Sequence, residues 1–297
     1  MFPYFVVFGR TVGTYAVCSA AGLIIAVAFF FVRTRRTVGA AFEDVVLMAL
    51  VALAGITVGG HFLFGVTQIK KLILILKSLG RLPFLKALEL IVNCFGGSVF
   101  YGGLFGSCLA GWIYMRVKKI APKERRAFAD AYACAIPLFH TFGRIGCFFG
   151  GCCYGIESEF GFTAHGNTLS PGVNDVNRFP VALLEASLNL LLFLFLLMMS
   201  RKGRSGGRLI FLYGLCYSVI RFSVEFLRGD EIRGIWYGLS TSQWISIALF
   251  AVCAAILIRA RIKAARGLPD DRPDPASDPD LDPDPDADPA VTSDLSE

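Results

Sequence analysis

A chain of 297 residues that is 55% hydrophobic, with a mean hydropathy of +0.60, is too apolar for an ordinary soluble domain. Its net charge of +6 does not point to nucleic acid, because the lysines and arginines flank apolar runs instead of forming one basic surface.

Seven apolar runs of about 20 residues recur, the length that crosses ~30 Å of hydrocarbon. They lie near 11–32, 45–66, 95–115, 127–149, 181–200, 208–228 and 241–260. Each is expected to be a helix, since an open strand leaves backbone groups unpaired in lipid. The expected fold class is an all-α membrane protein with seven transmembrane helices. The first run has no convincing small-residue cleavage site after it and reads as a retained helix, not a signal peptide.

Between the second and third runs, "KKLILILKSLGRLPFLKALELI" mixes lysine with leucine and is broken by Gly80 and Pro83. It reads as one or two helices lying in the membrane interface, lysines toward headgroups. A re-entrant or spanning hairpin is the alternative.

The third run opens with "NCFGGSVFYGGLFGS", carrying Asn93 and Tyr101, and places Gly102, Gly106 and Ala110 four apart, a face on which another helix can pack closely. In the fourth, His140, Arg144 and Cys147 share one helix face, and Pro137 should loosen the helix before them. Arg178 and Glu185 flank the start of the fifth. In the sixth, "RFSVEFLRGD" repeats the spacing with Arg221, Glu225 and Arg228, and Glu225 can partner either arginine.

The connections fix an expected orientation. Basic clusters follow the first run (Arg33, Arg35, Arg36), separate the third from the fourth (Arg116, Lys118, Lys119, Lys123, Arg125, Arg126) and the fifth from the sixth (Arg201, Lys202, Arg204, Arg208), and follow the seventh (Arg259, Arg261, Lys263, Arg266). These are alternate connections, so all fall on one side, which the positive-inside rule makes cytoplasmic. The amino terminus is then outside and the carboxyl terminus inside. Residues 1–268 form the membrane domain; from Pro269 the Asp/Pro-repeat tail, 269–297, has no apolar face to bury and is expected to be disordered.

At a rise of 1.5 Å per residue, Arg144 lies roughly 27 Å and Arg221 about 20 Å from the cytoplasmic ends of their spans. Tyr15, His61, Tyr101, His140, Arg144, Arg178, Glu185, Arg221, Glu225 and Arg228 therefore fall at similar depth, toward the outer leaflet. Ionisable groups inside a span are costly and suggest a site. Guanidinium forks suit phosphate, and an intramembrane phosphate is most simply a lipid headgroup.

Four segments in order, "YGGLFG" (101–106), "GRIGCFFGGCCYG" (143–155), "RFP" (178–180) and "RFSVEFLRGD" (221–230), resemble the bacterial prolipoprotein diacylglyceryl transferases. The resemblance covers about residues 10–262 and not the tail. It implies an enzyme of the bacterial cytoplasmic membrane that moves a diacylglyceryl group from phosphatidylglycerol to the lipobox cysteine thiol of a prolipoprotein, releasing glycerol phosphate. It implies no metal or organic cofactor. It assigns phosphatidylglycerol binding to Arg144, an essential pair to Arg221 and Glu225 with Arg228 following, and supporting positions to Tyr15 and Gly155; His140, one turn before Arg144, joins the binding set. The chain departs from the family where members carry histidine at Tyr101, asparagine at Cys147 and an acid at Cys152. That histidine is the family's proposed base, and tyrosine ordinarily titrates near 10, so the base stays open between Tyr101 and a water. The alternatives to transfer are a relative that binds anionic lipid without transferring it and an anion transporter; a transporter should show a polar path or an inverted repeat, and neither is found.

The nine cysteines include no CxxC pair. Cys147, Cys152, Cys153 and His165 could in principle hold a metal, but adjacent cysteines do not easily share a tetrahedral zinc. No metal site is expected. Packing, or a disulfide from Cys147 to a later cysteine, remain as roles for these thiols.

Overall fold

A computed structural model describes residues 3–7, 9–78, 83–168, 170–201, 207–230 and 235–266. The Asp/Pro tail, Gly80, Lys202 and Arg204 lie outside them. Among the described residues there are nine α-helices: α1 (Thr14–Val38), α2 (Phe42–Thr67), α3 (Ile69–Lys77), α4 (Phe84–Cys94), α5 (Phe100–Val117), α6 (Pro122–Gly150), α7 (Val181–Arg201), α8 (Leu209–Glu225) and α9 (Thr241–Ala265). Each of the seven apolar runs falls on one of them. Four, Thr14–Val38, Phe42–Thr67, Val181–Ser200 and Thr241–Ala265, are long and apolar enough to cross a membrane. Large apolar side chains such as Ile24, Val58, Phe62, Leu191 and Val252 face outward. Such a surface is stable against lipid and not against water, and the chain is a multi-pass membrane protein.

Three helix boundaries differ from the expectation. The first helix starts at Thr14, because Arg10–Gly13 forms strand β2, paired antiparallel with β1 (Tyr4–Val7). Gly9, at φ 74°, supplies the turn that joins them. Asn93 belongs to the last turn of α4, and Phe95 and the two glycines after it delay α5 to Phe100. Helix α8 stops at Glu225. The fold is also not purely helical: β3 (Glu157–Thr163) pairs with β4 (Asn177–Arg178), and β5 (Ile235–Trp236) with β6 (Leu239–Ser240). These short ribbons occupy connections, where backbone groups can pair locally without crossing lipid.

Helix packing is set by small residues. Gly55 and Gly59 of α2 meet Gly102 and Gly106 of α5 so closely that a β-carbon at Gly59 would collide with the Gly102 carbonyl, and one at Gly106 with the Gly55 carbonyl. Helix α1 lies along α6 and barely touches α2. Gly22 accommodates Phe142, and Gly146 accommodates Tyr15 and Cys18. Pro137 does not interrupt α6; its carbonyl accepts the Thr141 hydroxyl at 2.9 Å.

Two buried clusters fill the interior. One joins Phe30, Val45, Met48, Phe128 and Ala131. The other joins Tyr101, Leu104, Cys134, Leu196, Tyr213 and Tyr217. Capping is specific at two starts: Asp130 of α6 accepts the Gly207 and Leu209 amides ahead of α8, and Ser240 with Gln243 forms a capping box on α9.

Candidate active site

The second cluster gives way to buried charge where α6, α7 and α8 meet. On α6, Arg144 Nε donates to His140 Nε2 at 3.1 Å. Nε2 is thus the acceptor and the imidazole is neutral, with its proton on Nδ1, which is buried and has no hydrogen-bond partner. Arg144 Nη2 forms an ion pair with Glu185 of α7 at 3.1 Å, and Glu185 is only 1% exposed. Phe100 stacks on the His140 ring at 4.2 Å and Tyr217 closes on it at 5.4 Å, so α5 and α8 hold the imidazole beside the arginine.

On α8, Tyr213, Tyr217, Arg221 and Glu225 repeat at four-residue steps and are all buried. Arg221 Nη2 pairs with Glu225 at 2.8 Å and donates to Ser242 of α9 at 3.3 Å. Its Nη1 is buried without a hydrogen-bond partner. A guanidinium nitrogen left in that condition costs stability on the order of 1–3 kcal/mol or more. Glu185 lies within electrostatic reach of Arg144, His140, Arg221 and Arg228, which ties the two ion pairs into one network.

Tyr101 is buried beside this network but makes no bond to it. Its hydroxyl lies 2.6 Å from Ser246 Oγ, and Ser246 gives its own proton to the Ser242 carbonyl at 2.8 Å. Tyr101 is therefore the donor of the pair.

Arg228 corrects the helix-face expectation. It lies beyond the end of α8, and its fork grips Asp230, not Glu225, at 3.1 and 2.9 Å. Gly155 pairs with Arg228 as a β-bridge, while Ile156 N bonds Leu227 O and Gly229 N bonds Tyr154 O. A β-carbon at Gly155 would run into the Phe179 carbonyl. Arg178 completes the brace, donating to the Gly155 carbonyl at 3.2 Å and lying 4.5 Å over the Tyr154 ring. Tyr15, half exposed, rests over Gly146 at the start of α1, outside the buried network. His61 is bonded to the Phe95 carbonyl at 2.7 Å.

Beyond Arg144, Gly151 at φ 72° ends α6 and the chain doubles back. The Sγ atoms of Cys147, Cys152 and Cys153 lie within 4.8 Å of one another, all as free thiols. Hydrogen bonds from Cys147 and Cys152, helped by Arg144 and Arg228, hold the Cys153 thiol below its ordinary range. His165 stands apart, exposed and paired with Asp175 at 2.7 Å.

The structure thus brings together Arg144, His140, Arg221 and Glu225, with Tyr101 alongside, and sets Tyr15, Arg228 and Gly155 around them. The sequence groups Glu185 with the other polar residues of the spans without giving it a role, and it does not single out Tyr217 or Ser242. The available signal was Glu185 and Asn189, one turn apart in a largely apolar helix, "VALLEASLNLLLFLF".

Comparison with known proteins covers the helices that carry these residues. Residues 3–259 match the family model described as prolipoprotein diacylglyceryl transferase. The phosphatidylglycerol–prolipoprotein diacylglyceryl transferase of Clostridium tetani is 32% identical over 259 residues, covering 86% of this chain and 94% of that protein. Transferase 2 of Clostridium perfringens is 33% identical over 258 residues, covering 85% and 91%. The enzyme of Corynebacterium efficiens is 30% identical over 262 residues, covering 82% and 76%. The match runs through every helix that contributes to the buried network, and the chain belongs to the prolipoprotein diacylglyceryl transferase family.

Proposed function

We propose that this protein transfers a diacylglyceryl group from phosphatidylglycerol to the lipobox cysteine thiol of prolipoproteins, the first step of lipoprotein maturation, in a bacterial cytoplasmic membrane. The observation that carries the reading is the pair of buried, carboxylate-held arginines, Arg144 and Arg221, inside an apolar helical shell. In that shell a phosphate reaches two guanidiniums without leaving its lipid, and the low dielectric strengthens both contacts.

The reaction is substitution at the glycerol carbon that bears phosphate. The acceptor sulfur forms the new bond, and glycerol phosphate leaves. Arg144 and Arg221 stabilise charge on the departing phosphate. Glu185 and Glu225 hold the two forks in place, and His140 fixes Arg144 through Nε. Tyr15 and Arg228 flank the headgroup region, and Gly155 closes the brace around it. Tyr101 already donates its proton to Ser246, so in this arrangement it positions α9 and does not accept a proton.

In this reading seven helices (α1, α2 and α5–α9) cross the membrane, amino terminus outside and carboxyl terminus inside. Basic residues at the end of α1, between α5 and α6, and at the end of α9 support that orientation. The three β-ribbons fall in the opposite set of connections. Helices α3 and α4, carrying Lys70, Lys71, Lys77 and Lys86, lie in the outer interface. Residues 269–297 are a separate acidic tail.

The test is transfer of labelled diacylglyceryl from phosphatidylglycerol vesicles to a lipobox peptide by the purified full chain. A cysteine-to-serine peptide is the control. Label on the cysteine peptide alone is the expected result; label on neither removes the reading.

A further inference from the structure

We propose that Cys147, Cys152 and Cys153 form a three-thiolate zinc site whose open fourth position takes the acceptor thiol. This rests on the transferase reading above.

The geometry comes first. Zinc holds thiolate sulfur at about 2.3 Å, so tetrahedral ligand sulfurs stand about 3.8 Å apart. The three sulfurs lie within 4.8 Å of one another and need to close by no more than about 1 Å to meet one ion. The adjacency of Cys152 and Cys153, which argued against shared ligation in the sequence, is resolved by the backbone. Cys153 adopts φ 55°, in the left-handed region. A residue with a β-carbon pays a strain of roughly 1–2 kcal/mol there, and the chain keeps cysteine instead of glycine. With that reversal the Cys153 sulfur lies within 4.8 Å of both Cys147 and Cys152.

The surroundings suit an ion with thiolate ligands. Arg144 and Arg228 lie within electrostatic reach of Cys153 and offset the excess negative charge of three thiolates on one dication. Cys152 and Cys153 line a small cleft with Tyr154, Arg178 and Phe179. Soft ligands select zinc or copper(I) among common ions. Three protein ligands with a vacant fourth position is the pattern of a catalytic zinc, not a structural one.

The chemistry answers a need the buried network leaves open. The acceptor must become a thiolate, and Tyr101 is committed as a donor. A thiol that binds zinc is deprotonated outright. Its proton passes to water. The sulfur lone pair then forms the bond to the glycerol carbon, the carbon–oxygen bond to phosphate breaks, and that electron pair leaves with glycerol phosphate. The metal changes neither charge nor oxidation state. Cys147 lies one turn beyond Arg144 on α6, so the ion and the phosphate clamp share one rigid element.

The experiment uses the full chain in phosphatidylglycerol nanodiscs, stripped with a chelator under a phosphine reductant and reloaded with Co²⁺ or Zn²⁺. One Co²⁺ per chain with thiolate-to-cobalt absorption is expected. Cys147→Ser, Cys152→Ser and Cys153→Ser should each weaken it, and Cys216→Ser should retain it and report on folding. A lipobox peptide should shift the cobalt spectrum, and its serine analogue should not. An ordinary thiol is a few per cent ionised at neutral pH, so stripping should slow transfer about tenfold or more, and Zn²⁺ should restore it. No cobalt absorption, no peptide-dependent shift, a disulfide within the cluster in protein isolated without reductant, or full transfer by metal-free protein each overturns the proposal. A cobalt site that shifts with peptide in a protein that transfers nothing would support the site and remove the transferase reading.

Discussion

The two buried arginines differ in what holds them, and that difference is measurable. Arg144 is held by His140 and Glu185, Arg221 by Glu225 and Ser242. Removing one charged donor at a developing anion costs on the order of 10²–10³ in rate, so Arg144→Ala should slow transfer by that factor at matched membrane abundance. Arg221→Lys can keep one charged nitrogen between Glu225 and Ser242 but loses the second, Nη1, and with it the planar fork, so it should also lose most of the activity. Glu185→Gln separates stability from chemistry: it leaves Arg144 buried without its counterion, a loss of about 3–5 kcal/mol, and should lower the midpoint of thermal unfolding in detergent as well as the rate. At this scale the arginines were legible because charge at helical spacing in an apolar run has few explanations. Glu185 was not, because a single acid near the start of a helix looks like any interfacial residue until its partner on α6 is known. Arg228 was misplaced for a similar reason: the spacing from Arg221 is helical, but the helix stops at Glu225 and Asp230 takes the guanidinium.

Between helices, the α2–α5 contact sets backbone against backbone at glycines on both sides. Gly59 faces the Gly102 carbonyl with no room for a β-carbon. Gly59→Leu should push the helices apart and destabilise the protein by about 1–3 kcal/mol or more, read as a lower unfolding midpoint, whereas Gly143→Ala, with open space at its β-position, should change it little. The four-residue glycine spacing of α5 was visible in the sequence, but its partner was not, since a small-residue face names no mate. Helices were readable because hydrocarbon leaves the backbone few choices. The ribbons were not, because they lie in connections where pairing depends on what the helix ends bring together. The Gly155 brace is the example: Tyr154 and Ile156 pair with Gly229 and Leu227, more than seventy residues on in the chain.

At the scale of the whole chain, the apolar runs and the family motifs carried most of the architecture, and the acidic tail stands apart from both. Deletion from Pro269 onward should leave insertion and transfer within about twofold of the full chain, as expected for changes remote from a site, checked by the vesicle assay on purified protein. A reporter fused after Arg266 should be active only on the cytoplasmic side. The pairing of α1 with α6, and not with its neighbour α2, has a consequence for how the protein is made. Helix α1 leaves the ribosome before its partner and finds its Gly22 and Gly146 contacts only after four intervening helices and α6 itself have been synthesised. Until then it must persist in the bilayer on hydropathy alone, its packing surface toward lipid. Nascent chains arrested before α6 should therefore hold a membrane-inserted but mobile first helix, open to the insertion machinery and to quality-control proteases, which the completed chain conceals.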